Sequence, residues 1–204
     1  MAKFETFEEL VEDYFFSSLV IEGYTKTQQM TLNLAKKIIT MHGAGGKFVE
    51  DVIIGKYGLS NTDGIHGWDA SKKSRPVEIK TETINKTKPL RCEGSYTETR
   101  EKTKCKSELY AEEKPILYSV GICNKTGKCI YVMETDTAKI DKKLVFWKRL
   151  MAKSPRIRFS HWMDSKNSWK VIYKNEELIR ARANDISDDL LDALGYHRVA
   201  RLPI

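Results

Sequence analysis

The chain has 204 residues, 41% of them hydrophobic, with a formal net charge of +7 and an isoelectric point near 9.1. That is enough apolar material to bury the core of one sizeable domain, which excludes wholesale disorder, and the basic balance points to a polyanionic partner, most simply nucleic acid. Cys92, Cys105, Cys123 and Cys129 form no CxxC pair and the four histidines lack zinc-finger spacing, which argues against a structural zinc and for free thiols in a reducing compartment.

Phe4 to Val20 reads as a helix, with Phe7, Leu10, Val11, Tyr14 and Phe15 at helical spacing and Thr6 with Glu9 as a capping box. The opening is acidic and amphipathic, so no signal peptide is expected. A second helix is expected over Thr25 to Met41, its apolar stripe being Met30, Leu34, Ile38 and Met41. After the break at His42–Gly46, a third covers Lys47 to Tyr57 and ends at Gly58. Ile65 to Ala70 and Val77 to Thr83 are expected to form a hairpin around Ser71–Arg75. Residues 84 to 107 show no period and read as a basic loop or insertion. Pro115 to Cys123 and Lys128 to Glu134 read as strands joined by the turn Asn124–Gly127. A helix over Lys139 to Met151, a strand pair over Arg156–Trp162 and Ser168–Tyr173, and an acidic helix over Ile186–Leu194 complete the chain. No apolar run approaches the ~18 residues of a membrane span. The fold class is α/β (α+β): a central mixed sheet flanked by helices in a single domain over 1–204, with a helical part at 1–58, a sheet region at 59–175 and a helix and tail at 176–204. A soluble cytoplasmic protein is expected.

Charge is unevenly placed. Residues 139 to 174 hold eleven lysines and arginines against Asp141 and Asp164 alone, interleaved with Phe146, Trp147, Phe159, Trp162 and Trp169. Basic residues alternating with aromatics suit phosphate and base contacts. The DNA-contact candidates are Lys72, Lys73, Arg75, Lys86, Lys88, Arg91, Arg100, Lys104, Arg156, Arg158, Lys166 and Lys170.

The most informative stretch is NTDGIHGWDASKKSRPVEIKTE, residues 61 to 82. A strand alternates its faces, so Glu78, Lys80 and Glu82 share one side while Val77, Ile79 and Thr81 share the other. Magnesium sites combine one or two carboxylates with waters and substrate phosphate. Asp63, Glu78 and the carbonyl of Ile79 can supply such oxygens, and Lys80 lies on the face of Glu78, where it can hold or deprotonate an attacking water.

Asp63, Glu78 and Lys80, in the pattern D-x(n)-E-x-K, resemble the signature of the PD-(D/E)XK, or restriction-endonuclease-like, nucleases. The resemblance implies an αβββαβ core behind N-terminal helices, a further acid on the helix before the hairpin, for which Glu50 is the candidate, and Mg²⁺-dependent hydrolysis of a phosphodiester in double-stranded DNA. The chain departs from the family in having Thr62 where a proline usually precedes the acid. Asp69 competes with Asp63; the Asp63-Gly64 step favours Asp63, and Asp69 beside the turn is read as a turn residue. Type II restriction endonucleases are the nearest functional type. They imply a homodimer, for which the first two helices are an interface candidate. Repair or recombination nucleases and resolvases of the same fold are the alternatives. From another class comes a non-catalytic DNA-binding regulator, in which the helices flanking His42–Gly46 act as a helix-turn-helix. Glu50 and Asp51 on the second of them oppose DNA docking. No RNA-binding motif is present.

Overall fold

The computed structural model describes residues 4–18, 23–41, 45–62, 67–84, 112–139 and 167–196, and the backbone alone of 93–97 and 156–160. Three helices open the chain: α1 (Phe7–Phe16), α2 (Lys26–Thr40) and α3 (Gly45–Lys56). α1 starts at the expected capping box, with the Thr6 side chain accepting from Glu9 N and the Glu9 side chain accepting from Thr6 N. Thr25 and Gln28 make a second box at the start of α2. Gly45 and Gly46, read as part of a break, are the first residues of α3. A Cβ at Gly45 would lie 2.2 Å from the Ile39 carbonyl oxygen, so only glycine lets α3 begin against the end of α2.

A six-stranded mixed sheet follows, in the order β1-β2-β3-β5-β6-β8, from β1 (Ser60–Asn61), β2 (Ala70–Lys72), β3 (Arg75–Thr83), β5 (Ile116–Ile122), β6 (Cys129–Asp136) and β8 (Trp169–Lys174). β1, β2 and β3 are successively antiparallel; β3 and β5 run parallel from Val77↔Ile116 to Thr83↔Ile122; β5–β6 and β6–β8 are antiparallel. β4 (Glu93–Thr97), inside the stretch expected to be a loop, pairs with β7 (Arg156–Ser160) in a separate two-stranded sheet. The expected pairing of the strands near 156–162 and 168–173 therefore does not form: β7 joins β4, while β8 joins β6. The β2–β3 turn is also tighter than expected. Lys73 and Ser74 alone make it, both left-handed with φ of 49° and 66°, and Ser71, Lys72 and Arg75 belong to the strands. Beyond the sheet come α4 (Glu176–Ala181), absent from the sequence reading, and α5 (Asp188–Ala193), capped by Ser187. Of the helix expected over 139–151, Lys139 ends a short 3₁₀ turn and the rest lies outside the described residues.

Helices cover both faces. On one, Phe15, Ile39, Val49 and Ile53 pack against Val77, Ile79, Tyr118, Val120 and Val132. On the other, Leu178, Ile179, Leu190 and Leu191 pack against Ile84, Ile130, Tyr131 and Met133. β5 is buried along its whole length, as a strand between two helical layers must be. The stripe expected to anchor α2 is reversed. Met30, Leu34 and Met41 are exposed, and Leu32, Ala35 and Ile39 face the core. Both sets repeat at helical spacing, so periodicity alone does not choose between them. Among the described residues no helix is long and apolar enough to cross a membrane.

Candidate active site at the β2–β3 fork

β2 and β3 stay paired for only three residues each, from Lys72↔Arg75 to Ala70↔Val77, and then separate. Asp69 sits at that fork. Its N–H donates to the Val77 carbonyl at 3.0 Å, and its Oδ2 accepts from the Ile79 N–H at 2.6 Å. The carboxylate thus satisfies a backbone donor on the outer edge of β3 just where β2 stops doing so. The residues either side of Asp69 hold it in place. Trp68 is buried, with Nε1 donating to Glu113 at 2.8 Å and its carbonyl accepting from Thr62 Oγ1 at 2.6 Å, and Ala70 is fully buried.

Next to this fork, β3 presents the charged side read from the sequence. Val77 and Ile79 point into the core beneath α1–α3. Glu78 faces the opposite side and is 1% exposed, its register partners across the sheet being Leu117 and then Thr135, both fully buried. A carboxylate so buried needs a cation, and Lys80 Nζ forms an ion pair with Glu78 Oε1. Lys80 keeps 30% of its side chain exposed, so the pair joins a buried acid to a solvent-reachable amine.

Glu50 comes from α3, one residue beyond the buried Val49. Its carboxyl is held above the ordinary range, first by burial and then by repulsion from the Asp69 carboxylate, while Lys47 at 3.5 Å and Lys80 pull the other way. Glu50, Asp69 and Lys80 are thus within electrostatic reach of one another, in a cluster short of positive charge. Its oxygen donors are the hard kind that suits magnesium. Among the described residues no group of three or more acidic, histidine or cysteine side chains is gathered tightly enough to hold a metal alone. Two carboxylates, the Ile79 carbonyl, waters and a substrate phosphate would not require one.

Glu78, Lys80, Ile79 and Glu50 thus stand at or beside the fork, whereas Asp63, the expected first carboxylate, lies outside the described residues. The acid that reaches β3 is Asp69, which the sequence reading treated as a turn residue. Asp69 is not a turn residue: it lies between a buried tryptophan and a buried alanine, and the turn needs only Lys73 and Ser74.

Of the DNA-contact candidates, Lys73 is exposed at the hairpin turn. Lys72 bonds Glu134 at 2.5 Å and Tyr118 Oη at 2.9 Å, Lys170 pairs with Glu134 at 3.1 Å, and Arg75 bonds Asp136 at 2.7 Å and the Lys114 carbonyl at 2.6 Å. These three cations are thus tied to carboxylates of β6. Arg156 and Arg158 lie on β7 opposite Thr97 and Ser95. Lys86, Lys88, Arg91, Arg100, Lys104 and Lys166 fall outside the described residues. Helix α3, the second helix of the alternative helix-turn-helix reading, buries Val49 and Ile53 against the sheet.

No protein-family model matches the chain, and no curated protein matches its sequence. The functional reading therefore rests on the fork itself.

Proposed function

We propose that the protein is a Mg²⁺-dependent endonuclease of double-stranded DNA, of the restriction-endonuclease-like kind, with its centre at the β2–β3 fork. One observation carries this reading: Asp69, at the mouth of the hairpin, is locked to the backbone of the strand that bears Glu78 and Lys80. The element order supports it, since α3, three antiparallel strands and then β5 parallel to β3 are compatible with an αβββαβ core. The net charge of +7 suits a polyanionic substrate.

In this reading Asp69, Glu78 and the Ile79 carbonyl would hold the metal, which when bound would supply Lewis-acid activation of the scissile phosphate. Lys80 Nζ hydrogen-bonds the attacking water and stabilises negative charge developing on the phosphate oxygens. Glu78 aims the Lys80 amine through their ion pair. Glu50, whose proton affinity is raised, accepts or relays a proton at the edge of the cluster. Asp69 here takes the place that sequence pattern gave to Asp63. The α3 helix serves the site by presenting Glu50, and its burial against the sheet disfavours a role as a DNA-reading helix.

Purified protein incubated with plasmid and phage DNA tests the proposal. Discrete fragments that require Mg²⁺, and disappear with EDTA or in Glu78→Gln, are expected. A smear would replace sequence-specific cleavage by nonspecific cleavage. DNA left intact by the wild type in every lane would overturn the reading.

A further inference from the structure

The β2–β3 register ends at Ala70↔Val77, so the path of the chain at Asp69 is set from upstream. Trp68 supplies the anchor. It is 4% exposed, and an indole N–H can only donate, so burial obliges it to find an acceptor. That acceptor is Glu113, 45 residues later in the chain, at 2.8 Å. The Trp68 carbonyl in turn accepts from Thr62 Oγ1 at 2.6 Å, which ties residues 62 and 68 together.

The backbone that carries Glu113 is itself fixed. Lys114, the next residue, is left-handed with φ of 50°, a conformation that a residue other than glycine keeps only where its surroundings impose it. The Lys114 carbonyl accepts from Arg75 Nη2 at 2.6 Å, and the Pro115 carbonyl accepts from the Thr137 N–H at 3.4 Å. Arg75 opens β3 and Ile116 opens β5, the strand parallel to it. A ring of contacts therefore leaves β3 at Arg75, passes through the 113–114 segment and the Trp68 indole to Asp69, and returns to β3 where Asp69 Oδ2 accepts from the Ile79 N–H at 2.6 Å. Both ends of the ring lie on the strand that bears Glu78 and Lys80, so the ring sets where the Asp69 carboxylate stands relative to them. Groups that hold a metal ligand in place commonly change metal affinity when removed, although they do not touch the metal.

We propose that Glu113 is a positioning residue of the fork: by accepting the Trp68 indole N–H it fixes Asp69 against Ile79 and thereby sets how tightly the fork takes a divalent cation. The effect on cation binding rests on the function proposed above; the effect on the Asp69–Ile79 bond does not.

The experiment compares Glu113→Ala and Glu113→Gln with the wild type, at a position exposed enough for either to fold. Glutamine keeps an acceptor oxygen for the indole and alanine does not. The first readout is amide hydrogen exchange by NMR on metal-free protein. In Glu113→Ala the Ile79 amide should exchange at least about tenfold faster, while Val120 and Val132 in the middle of the sheet keep their wild-type protection. The second readout is a Mg²⁺ titration of plasmid cleavage. Glu113→Ala should need at least about tenfold more Mg²⁺ for half-maximal rate, yet reach a saturated rate within about threefold of wild type. Glu113→Gln should stay near wild type in both. Unchanged Ile79 exchange in Glu113→Ala would overturn the proposal. So would equal acceleration at Val120 and Val132, which would make Glu113 a general stabiliser, or a glutamine variant as impaired as the alanine one. An unchanged Mg²⁺ requirement in an active Glu113→Ala enzyme would overturn the effect on cation binding. If the wild type leaves DNA intact, the nuclease reading falls and the exchange data alone decide the role of Glu113.

Discussion

Lys128 offers a sharp test of how the helical layer is fastened to the sheet. It is 2% exposed at the β5–β6 turn, and among the described residues no carboxylate is bonded to its amine. Nζ instead donates to Ser17 Oγ at 2.7 Å and to the Ser18 carbonyl, and it sits 4.8 Å from the centre of the Tyr14 ring. The ammonium therefore caps the C-terminal end of α1, where backbone carbonyls favour positive charge. Burial outweighs that help and the more distant Asp13 and Glu177, pushing the amine down from 10.5 to about 8. A base whose folded pKa lies below its unfolded one binds fewer protons when folded, so stability should rise with pH between about 8 and 10.5. At ~1.4 kcal/mol for each tenfold change in proton affinity, the whole window is worth up to ~3 kcal/mol, and ~2 kcal/mol of it falls between about pH 7 and pH 9.5. Lys128→Met keeps the stem and removes the titration. Urea unfolding of both proteins at the two pH values gives a double difference, in which contributions from Cys129 and the buried tyrosines cancel. Wild type should gain ~2 kcal/mol relative to the variant on going to the higher pH. Parallel behaviour of the two proteins would show that the amine keeps an ordinary affinity and that the burial argument is wrong.

Two further outcomes test the frame around the site. Burial alone would raise the Glu134 carboxyl, but hydrogen bonds from Lys72, Tyr118 and Lys170 bring it down to about 2, so its contribution is complete above the unfolded value of 4.5 and is lost as pH falls towards 2. Glu134→Gln should cost ~2–3 kcal/mol near neutral pH by chemical denaturation, with the difference from wild type shrinking through that acid window; a constant difference would contradict the network. Gly45→Ala forces a Cβ onto the Ile39 carbonyl oxygen and should destabilise by ~2–3 kcal/mol in thermal or urea melts. An unchanged melt would mean that α2 and α3 do not meet this closely.

The local features of this fold were legible in the sequence because neighbours in the chain determine them. The Thr6–Glu9 box, the Asn124–Gly127 turn and the alternation of Val77, Glu78, Ile79 and Lys80 each follow from residues a few positions apart. Features set by distant partners were not legible. Periodicity identified α2 as a helix but could not choose between its two apolar stripes, because the choice depends on α1 and α3, which pack against it. The partner of β7 is β4, about sixty residues earlier, and no local pattern carries that information. Asp69 was hidden for the same reason. Its role depends on a side-chain bond to Ile79, ten residues on across the hairpin, whereas the Asp63-Gly64 step is a purely local signal. Lys128 read as one more basic residue in a strand, since only the end of α1 folded over it makes it buried.

The acid at the β2–β3 fork is the most direct test of the proposed centre. Asn at position 69 can still accept from the Ile79 N–H, so Asp69→Asn should preserve the hairpin while removing the charge. Single-turnover cleavage of duplex DNA in Mg²⁺, with Asp69→Asn measured beside Asp63→Asn, separates the two candidates. Loss of a metal-holding carboxylate worth several kcal/mol predicts a rate at least ~10²-fold lower for Asp69→Asn, with Asp63→Asn within about tenfold of wild type. An Asp69→Asn enzyme that cuts at the wild-type rate, with Asp63→Asn inactive, would contradict the assignment of the centre to the β2–β3 fork.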